Sequence, residues 1–136
     1  MKRARVLLAE DSWAMARQLR AILEQEFDVV GTVADGVSLV QVARSTEPDI
    51  VVTDIAMPGM DGLDAIAQLL GDRDQLGVVF ITVLGDSQLV DRALSLGTCS
   101  YVLKGDAGDD LLLAVQAALE RRTFLSKSVA YLAHPN

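Results

Sequence analysis

Pro48-Asp49-Ile50-Val51-Val52-Thr53-Asp54-Ile55-Ala56-Met57-Pro58-Gly59-Met60-Asp61-Gly62 is the stretch on which the reading of this chain turns. The β-branched run Ile50, Val51, Val52 and Thr53 sits between a proline and the Pro58-Gly59 break. Such a run marks a strand buried on both faces in a parallel sheet. It ends in one acid, Asp54, and open α/β sheets place their ligand sites at the carboxyl ends of strands. Ordinary turn chemistry also puts Asp at strand ends. Asp54 therefore gains meaning only from what else reaches that edge.

Working outward, four more short apolar runs read as strands: Val6 to Ala9, Asp28 to Val33, Val78 to Thr82 and Cys99 to Leu103. Helical spacing fills the gaps between them. Met15, Leu19, Ile22 and Leu23 follow an N-cap at Asp11 or Ser12. Gly36 leads into a helix with Val37, Val40 and Ala43 inward, stopped by Pro48. Asp61 and Asp64 resemble a capping box ahead of Leu63, Ile66 and Leu70, with closure near Gly71. Asp86 or Ser87 caps a helix carrying Leu89, Val90, Ala93 and Leu96, and Gly97 ends it. Lys104 opens a flexible Gly105-Asp106-Ala107-Gly108 loop. Asp109 starts the last helix, with Leu112, Val115 and Leu119 on one face and Arg121 and Arg122 set for its C-terminal dipole. Strict alternation of strand and helix implies right-handed crossovers and a doubly wound α/β domain. The expected architecture is flavodoxin-like: a five-stranded parallel sheet of order 2-1-3-4-5 with five helices.

The chain's 136 residues suit one domain, burying about two-thirds of its unfolded surface. A formal charge of −7 argues against direct binding of nucleic acid, which needs a basic surface. A single cysteine, Cys99, excludes an internal disulfide, and there is no Cys/His cluster for zinc. Cys99 reads as a small core residue. No apolar run approaches the roughly 20 residues of a membrane span, so a soluble, cytoplasmic protein with no membrane contact is expected.

In a parallel sheet of that order, Glu10-Asp11, Asp54, Thr82 and Lys104 all fall at one edge. Two carboxylates about 4 Å apart repel by about 4 kcal/mol at an effective dielectric near 20, so uncompensated acids here would shift their pKa values or recruit a cation. Its ligands are oxygens, which suit a hard ion such as Mg²⁺. A central acid flanked by a metal, a hydroxyl and an ammonium is equipped to attack a phosphoryl group, giving an aspartyl phosphate on Asp54.

Glu10-Asp11, Asp54 followed by Met57-Pro58-Gly59-Met60-Asp61-Gly62, Thr82, and Tyr101 three residues before Lys104 together resemble the receiver domain of bacterial two-component response regulators. The resemblance covers 1–122, leaving 123–136 as a linker or tail. It implies that a sensor histidine kinase donates the phosphoryl group to Asp54. It further implies that Glu10, Asp11, Asp54 and the Ala56 backbone carbonyl hold Mg²⁺, that Thr82 and Lys104 sense the phosphate, and that Thr82 and Tyr101 form the switch. The segments around Tyr101 and Arg122-Thr123-Phe124-Leu125-Ser126 are most similar to the class carrying a LuxR-type helix-turn-helix output domain, which implies control of transcription through a domain outside this chain. A homodimer through the first and last helices, or through the fourth helix and fifth strand, is the expected partner mode.

Three departures from the family stand out. Gly105 replaces the common proline and should loosen the last loop, while Val83 follows the threonine where a small residue is usual. Ala56 and Leu84 are apolar where relatives carry polar residues that orient water, so slow self-dephosphorylation is expected. The enzyme alternative is a haloacid-dehalogenase-like phosphatase with Asp54 as nucleophile, which wants a second acid where Ala56 stands. A nucleotide-binding fold would need a Gly-rich loop where Glu10-Asp11-Ser12-Trp13 stands. Otherwise the chain is a single-domain receiver acting through protein partners, with no turnover of an external substrate. Trp13 is left open between packing on the rim and exposure, and His134, without neighbouring ligands, reads as part of the tail.

Overall fold

The fold is read from a computed structural model that describes residues 2–83, 85–127 and 129. Strands and helices alternate throughout: β1 (Arg5–Ala9), α1 (Trp13–Leu23), β2 (Asp28–Val33), α2 (Gly36–Thr46), β3 (Ile50–Asp54), α3 (Gly62–Asp72), β4 (Gly77–Thr82), α4 (Ser87–Ser95), β5 (Ser100–Leu103) and α5 (Ala107–Leu119). The strands form one parallel sheet of order β2-β1-β3-β4-β5, as the alternation requires. β3 is central and every one of its residues is buried.

The two-residue period of the strands sorts side chains into two cores. Leu7, Val51, Val78, Phe80 and Tyr101 face one way, against Leu39, Val40, Leu63, Ile66, Leu69, Val90 and Ala93 of α2, α3 and α4. Val6, Leu8, Val52, Val79, Ile81 and Val102 face the other way, against Ala16, Leu19 and Leu23 of α1 and Leu111, Ala114, Val115 and Ala118 of α5. Each fully buried aliphatic side chain contributes about 1.5–3 kcal/mol.

Short polar side chains start four of the helices on the carboxyl edge of the sheet. Ser12 Oγ accepts from Met15 N–H at 3.3 Å, Asp35 Oδ1 from Ser38 N–H at 2.7 Å, Asp61 Oδ1 from Asp64 N–H at 2.8 Å and Asp86 Oδ1 from Gln88 N–H at 2.7 Å. These bonds satisfy amides the helices cannot pair internally. Arginines serve the opposite edge, where carbonyls are left over. Arg3 donates to the carbonyls of Glu24 and Glu26, Arg5 to that of Glu47, Arg73 to that of Pro48 and Arg121 to that of Gln75. An acidic chain thus spends much of its basic complement on helix ends and turns.

Several expectations need correction. Val37 is half exposed and Leu39 takes the inward place; Leu69 rather than Leu70 completes the α3 face, and α3 runs through Gly71 to Asp72. On α5 the buried stripe is Leu111, Ala114, Val115 and Ala118, with Leu112 and Leu119 only at its margin. Each shift is one or two residues along its helix, which periodicity alone does not resolve. The segment after Lys104 is no open loop: Lys104–Asp106 forms a 3-10 turn that runs directly into α5 at Ala107. Arg122 pairs with Glu120 rather than with the helix-end carbonyls. Beyond Arg122 the chain stays against the sheet: Phe124 and Ser126 bond to β5 and Val129 is fully buried.

Cys99 is the core residue expected, 2% exposed, its Sγ 3.5 Å from the Ala93 carbonyl. Burial pushes its thiol up to about 12. At about pH 8.5, where an ordinary cysteine is half thiolate, its reaction with a disulfide reagent should be more than about a thousandfold slower than in the urea-unfolded chain. Equal rates in the two states would show that the β4–α4–β5 layer opens readily.

Candidate functional site

Because the strands are parallel, the ends of β1, β3, β4 and β5 share one edge, and there Glu10, Asp11, Asp54, Thr82 and Lys104 converge. Glu10 extends β1 by one residue, its N–H donating to the Val33 carbonyl at 2.9 Å. Its carboxylate is buried, with Oε2 accepting from Ser12 N–H at 2.9 Å. Asp54 closes β3 and is 5% exposed, while Asp11 is open to solvent.

Lys104 ties the two buried acids together. Its Nζ lies 2.8 Å from Asp54 Oδ2 and 2.6 Å from Glu10 Oε1. The Asp54 contact is a well-directed hydrogen bond; the Glu10 contact is a close ion pair with poorer alignment, so buried Glu10 Oε1 lacks a well-directed donor. Burial raises the Glu10 pKa, the Lys104 and Ser12 contacts only partly oppose it, and Asp54 adds repulsion. Burial also pulls on Lys104, downward, but the two carboxylates outweigh it and its pKa is raised.

Glu10, Asp11 and Asp54 each present a carboxylate oxygen within 4.8 Å of the others. With all three ionised, one ammonium leaves two negative charges uncompensated at this point. Oxygen donors, that excess charge and an incompletely satisfied Glu10 oxygen fit a hard divalent cation. Ala56, two residues past Asp54, is exposed.

Thr82 ends β4 at 2% exposure, in register with Leu103 of β5. Tyr101 is fully buried, its ring 6.4 Å from that of Phe80 at an interplanar angle of 47°. Burial, then the nearby charges of Asp86 and Asp54 and the Cys99 thiol, push its phenol up to about 12. Trp13 is 73% exposed on the rim, with the Arg17 guanidinium 4.9 Å above its ring. Val83 stands out at 70% exposure. Leu84 and His134 lie outside the described residues.

The family model for the response regulator receiver domain matches residues 6–116. The chain belongs to that family. Receiver domains are phosphorylation-dependent switches of two-component signalling, and as signalling modules they are not classical enzymes. The chain is 34% identical over 118 residues to the transcriptional regulatory protein PdtaR of Mycobacterium tuberculosis, covering 86% of this receiver and 57% of that protein. It therefore spans little more than half of that relative. It is 39% identical over 103 residues to the chemotaxis protein CheY of Treponema pallidum, covering 74% of this receiver and 72% of CheY. Among solved structures, a LuxR-family two-component response regulator from Aurantimonas superposes with a TM-score of 0.89 at 27% identity, over 95% of this receiver and 94% of that chain.

Two supporting residues escaped the sequence reading. The Ser12 N–H that holds Glu10 was hidden behind the serine's more obvious role as a cap. Gly62 begins α3 with its N–H donating to the Ile55 carbonyl at 2.8 Å, and a Cβ there would collide with the Asp54 carbonyl. An Asp-Gly pair ahead of a helix was a legible turn signal, but the backbone it must clear lies eight residues earlier in the chain. Gly62→Ala should destabilise the receiver by about 1–3 kcal/mol. Chemical denaturation checks this, and a wild-type midpoint would show that the Asp54 backbone yields without cost.

Proposed function

We propose that Asp54 is the phospho-acceptor of this receiver. The supporting observation is that a buried strand-end carboxylate shares one ammonium with a second buried acid, beside a third. On this reading a sensor histidine kinase supplies a phosphohistidine. An Asp54 oxygen forms the new P–O bond while the P–N bond breaks and the imidazole takes up a proton. Lys104 turns from the carboxylates toward the phosphoryl oxygens and neutralises them, and the Thr82 hydroxyl donates to one of them. Mg²⁺ held by Glu10, Asp11, Asp54 and the Ala56 carbonyl would supply further positive charge to the phosphoryl oxygens.

Phosphate adds about −1.5 to −2 charges where Lys104 now balances two carboxylates. Drawing Thr82 toward it moves the start of the β4–α4 connection, with buried Tyr101 packed beside it, which is the switch role proposed for both residues. The domain extends beyond Arg122 through the residues packed on β5. Output through a DNA-binding domain elsewhere in a longer protein accords with the transcriptional name of PdtaR and the LuxR-family neighbour. A second copy docking through α1 and α5 is the favoured dimer, because the outer edge of β5 is already paired with Phe124 and Ser126. A phosphatase reading is disfavoured by Ala56, which offers no second acid.

Incubation with acetyl phosphate and Mg²⁺ should add one phosphoryl group by intact mass, and Asp54→Asn should abolish it. Unchanged wild-type mass under conditions that modify a control receiver would falsify the assignment. Mg²⁺ at 100 times its dissociation constant should stabilise the unmodified protein by about 2.7 kcal/mol. Thermal melts should show that gain disappearing with EDTA and shrinking in Asp11→Asn.

A further inference from the structure

Past Arg122 the chain turns back along the sheet instead of leaving it. Tyr101 N–H donates to the Phe124 carbonyl at 2.9 Å, and the Tyr101 carbonyl accepts from Ser126 N–H at 3.0 Å. Leu125 thereby forms a parallel bridge with Tyr101. Leu103 N–H donates to Ser126 Oγ at 3.0 Å, so a buried serine hydroxyl continues the ladder up to the residue before Lys104. Val129 N–H then donates to the Ser126 carbonyl at 2.8 Å. The Val129 side chain is fully buried in the cluster that contains Val90 and Ala93 of α4 and Tyr101 of β5.

This segment has two footings of different kinds. The first is directional, made of backbone and hydroxyl bonds to β5. The second is apolar, shared with α4, whose only buried residues are Val90 and Ala93. We propose that Phe124, Leu125, Ser126 and Val129 form a strap that clamps α4 to β5, and that phosphorylation of Asp54 opens the strap at Val129 while the β5 pairing holds. The proposal rests on the phospho-acceptor reading of Asp54.

The coupling follows from chain connectivity and packing. Thr82 ends β4 and Asp86 caps α4 four residues later, so movement of Thr82 toward a phosphoryl group is passed to the start of α4. A close-packed cluster answers such a shift by repacking rather than by stretching. Val129 meets its cluster through apolar packing, whereas the Phe124 carbonyl and the Ser126 N–H are hydrogen-bonded to the N–H and the carbonyl of one β5 residue, Tyr101. The apolar footing is therefore the one that gives way. The strap is seated in the arrangement that pairs the Asp54 carboxylate directly with Lys104; if phosphorylation opens it, reciprocity requires that a closed strap weakens phosphoryl binding by the same factor.

The test is residue-resolved hydrogen exchange on the full 136-residue chain, with and without beryllofluoride plus Mg²⁺. Exchange at Thr82 and Asp86 reports on the site itself. The expected result is a change at those amides, an increase of about tenfold at Val129, and little change at Tyr101 and Ser126. Val129→Ala, which loosens the clamp without touching the site, should bind beryllofluoride several-fold more tightly than wild type. A response at Thr82 and Asp86 with unchanged or slower exchange at Val129 would overturn the strap and leave the phospho-acceptor reading standing. Weaker or equal beryllofluoride binding by Val129→Ala overturns the strap as well. No response at any of these amides would overturn both.

Discussion

One ammonium serving two buried carboxylates is the interaction on which the rest of this structure depends. Lys104 reaches Glu10 from β1 and Asp54 from β3, so three strands must end at the same height for the contacts to form. Burial raises the energy of the Glu10 and Lys104 charges, and Lys104 reaches two acids at once without neutralising the third. The residue is a surplus of negative charge beside a concentrated positive one. Such a balance is easily redirected by a cation or a phosphoryl group, which is the physical requirement for a switch.

The scaffold around that point is stiff where geometry must be kept and thinly held where motion is useful. β3 is buried from end to end, and α3 begins against the Asp54 carbonyl with no room even for a methyl group. α1 and α5 each bury several side chains against the opposite face of the sheet. α4 buries only two; Leu89 and Leu94 are partly buried against the cluster that also contains Val129, and the Asp86 cap and an exposed Arg92–Asp64 ion pair add to its hold. The lightly held helix is the one attached directly to Thr82. A charge event at the edge therefore meets resistance in β3 and compliance in α4.

The strap changes how the end of the receiver is understood. β5 is an edge strand, and bare edges invite pairing with another chain. Here Phe124 and Ser126 of the same chain cover that edge, which is why the proposed second copy docks through α1 and α5. Arg122-Thr123-Phe124-Leu125-Ser126 drew notice in the sequence only through family likeness. No periodicity marks it, because a single bridge and a hydroxyl bond need no repeating pattern.

The sequence by itself determined the order of the elements, their parallel arrangement and the five positions at the carboxyl edge. These depend on short-range features: β-branched runs, helical spacing, and Ser or Asp at helix starts. It named part of each buried stripe on α2, α3 and α5 and misplaced the other members by one or two residues, because a helix face is set by the partner it packs on and not by its own spacing. The tertiary structure alone decided that Lys104 is shared between Glu10 and Asp54, that Gly62 must lack a side chain, and that Val129 lies in the core. Lys104 and Asp54 are 50 residues apart, and what joins them is strand register and the path of two crossovers. Local sequence encodes where each strand ends; only the packed sheet fixes which ends touch.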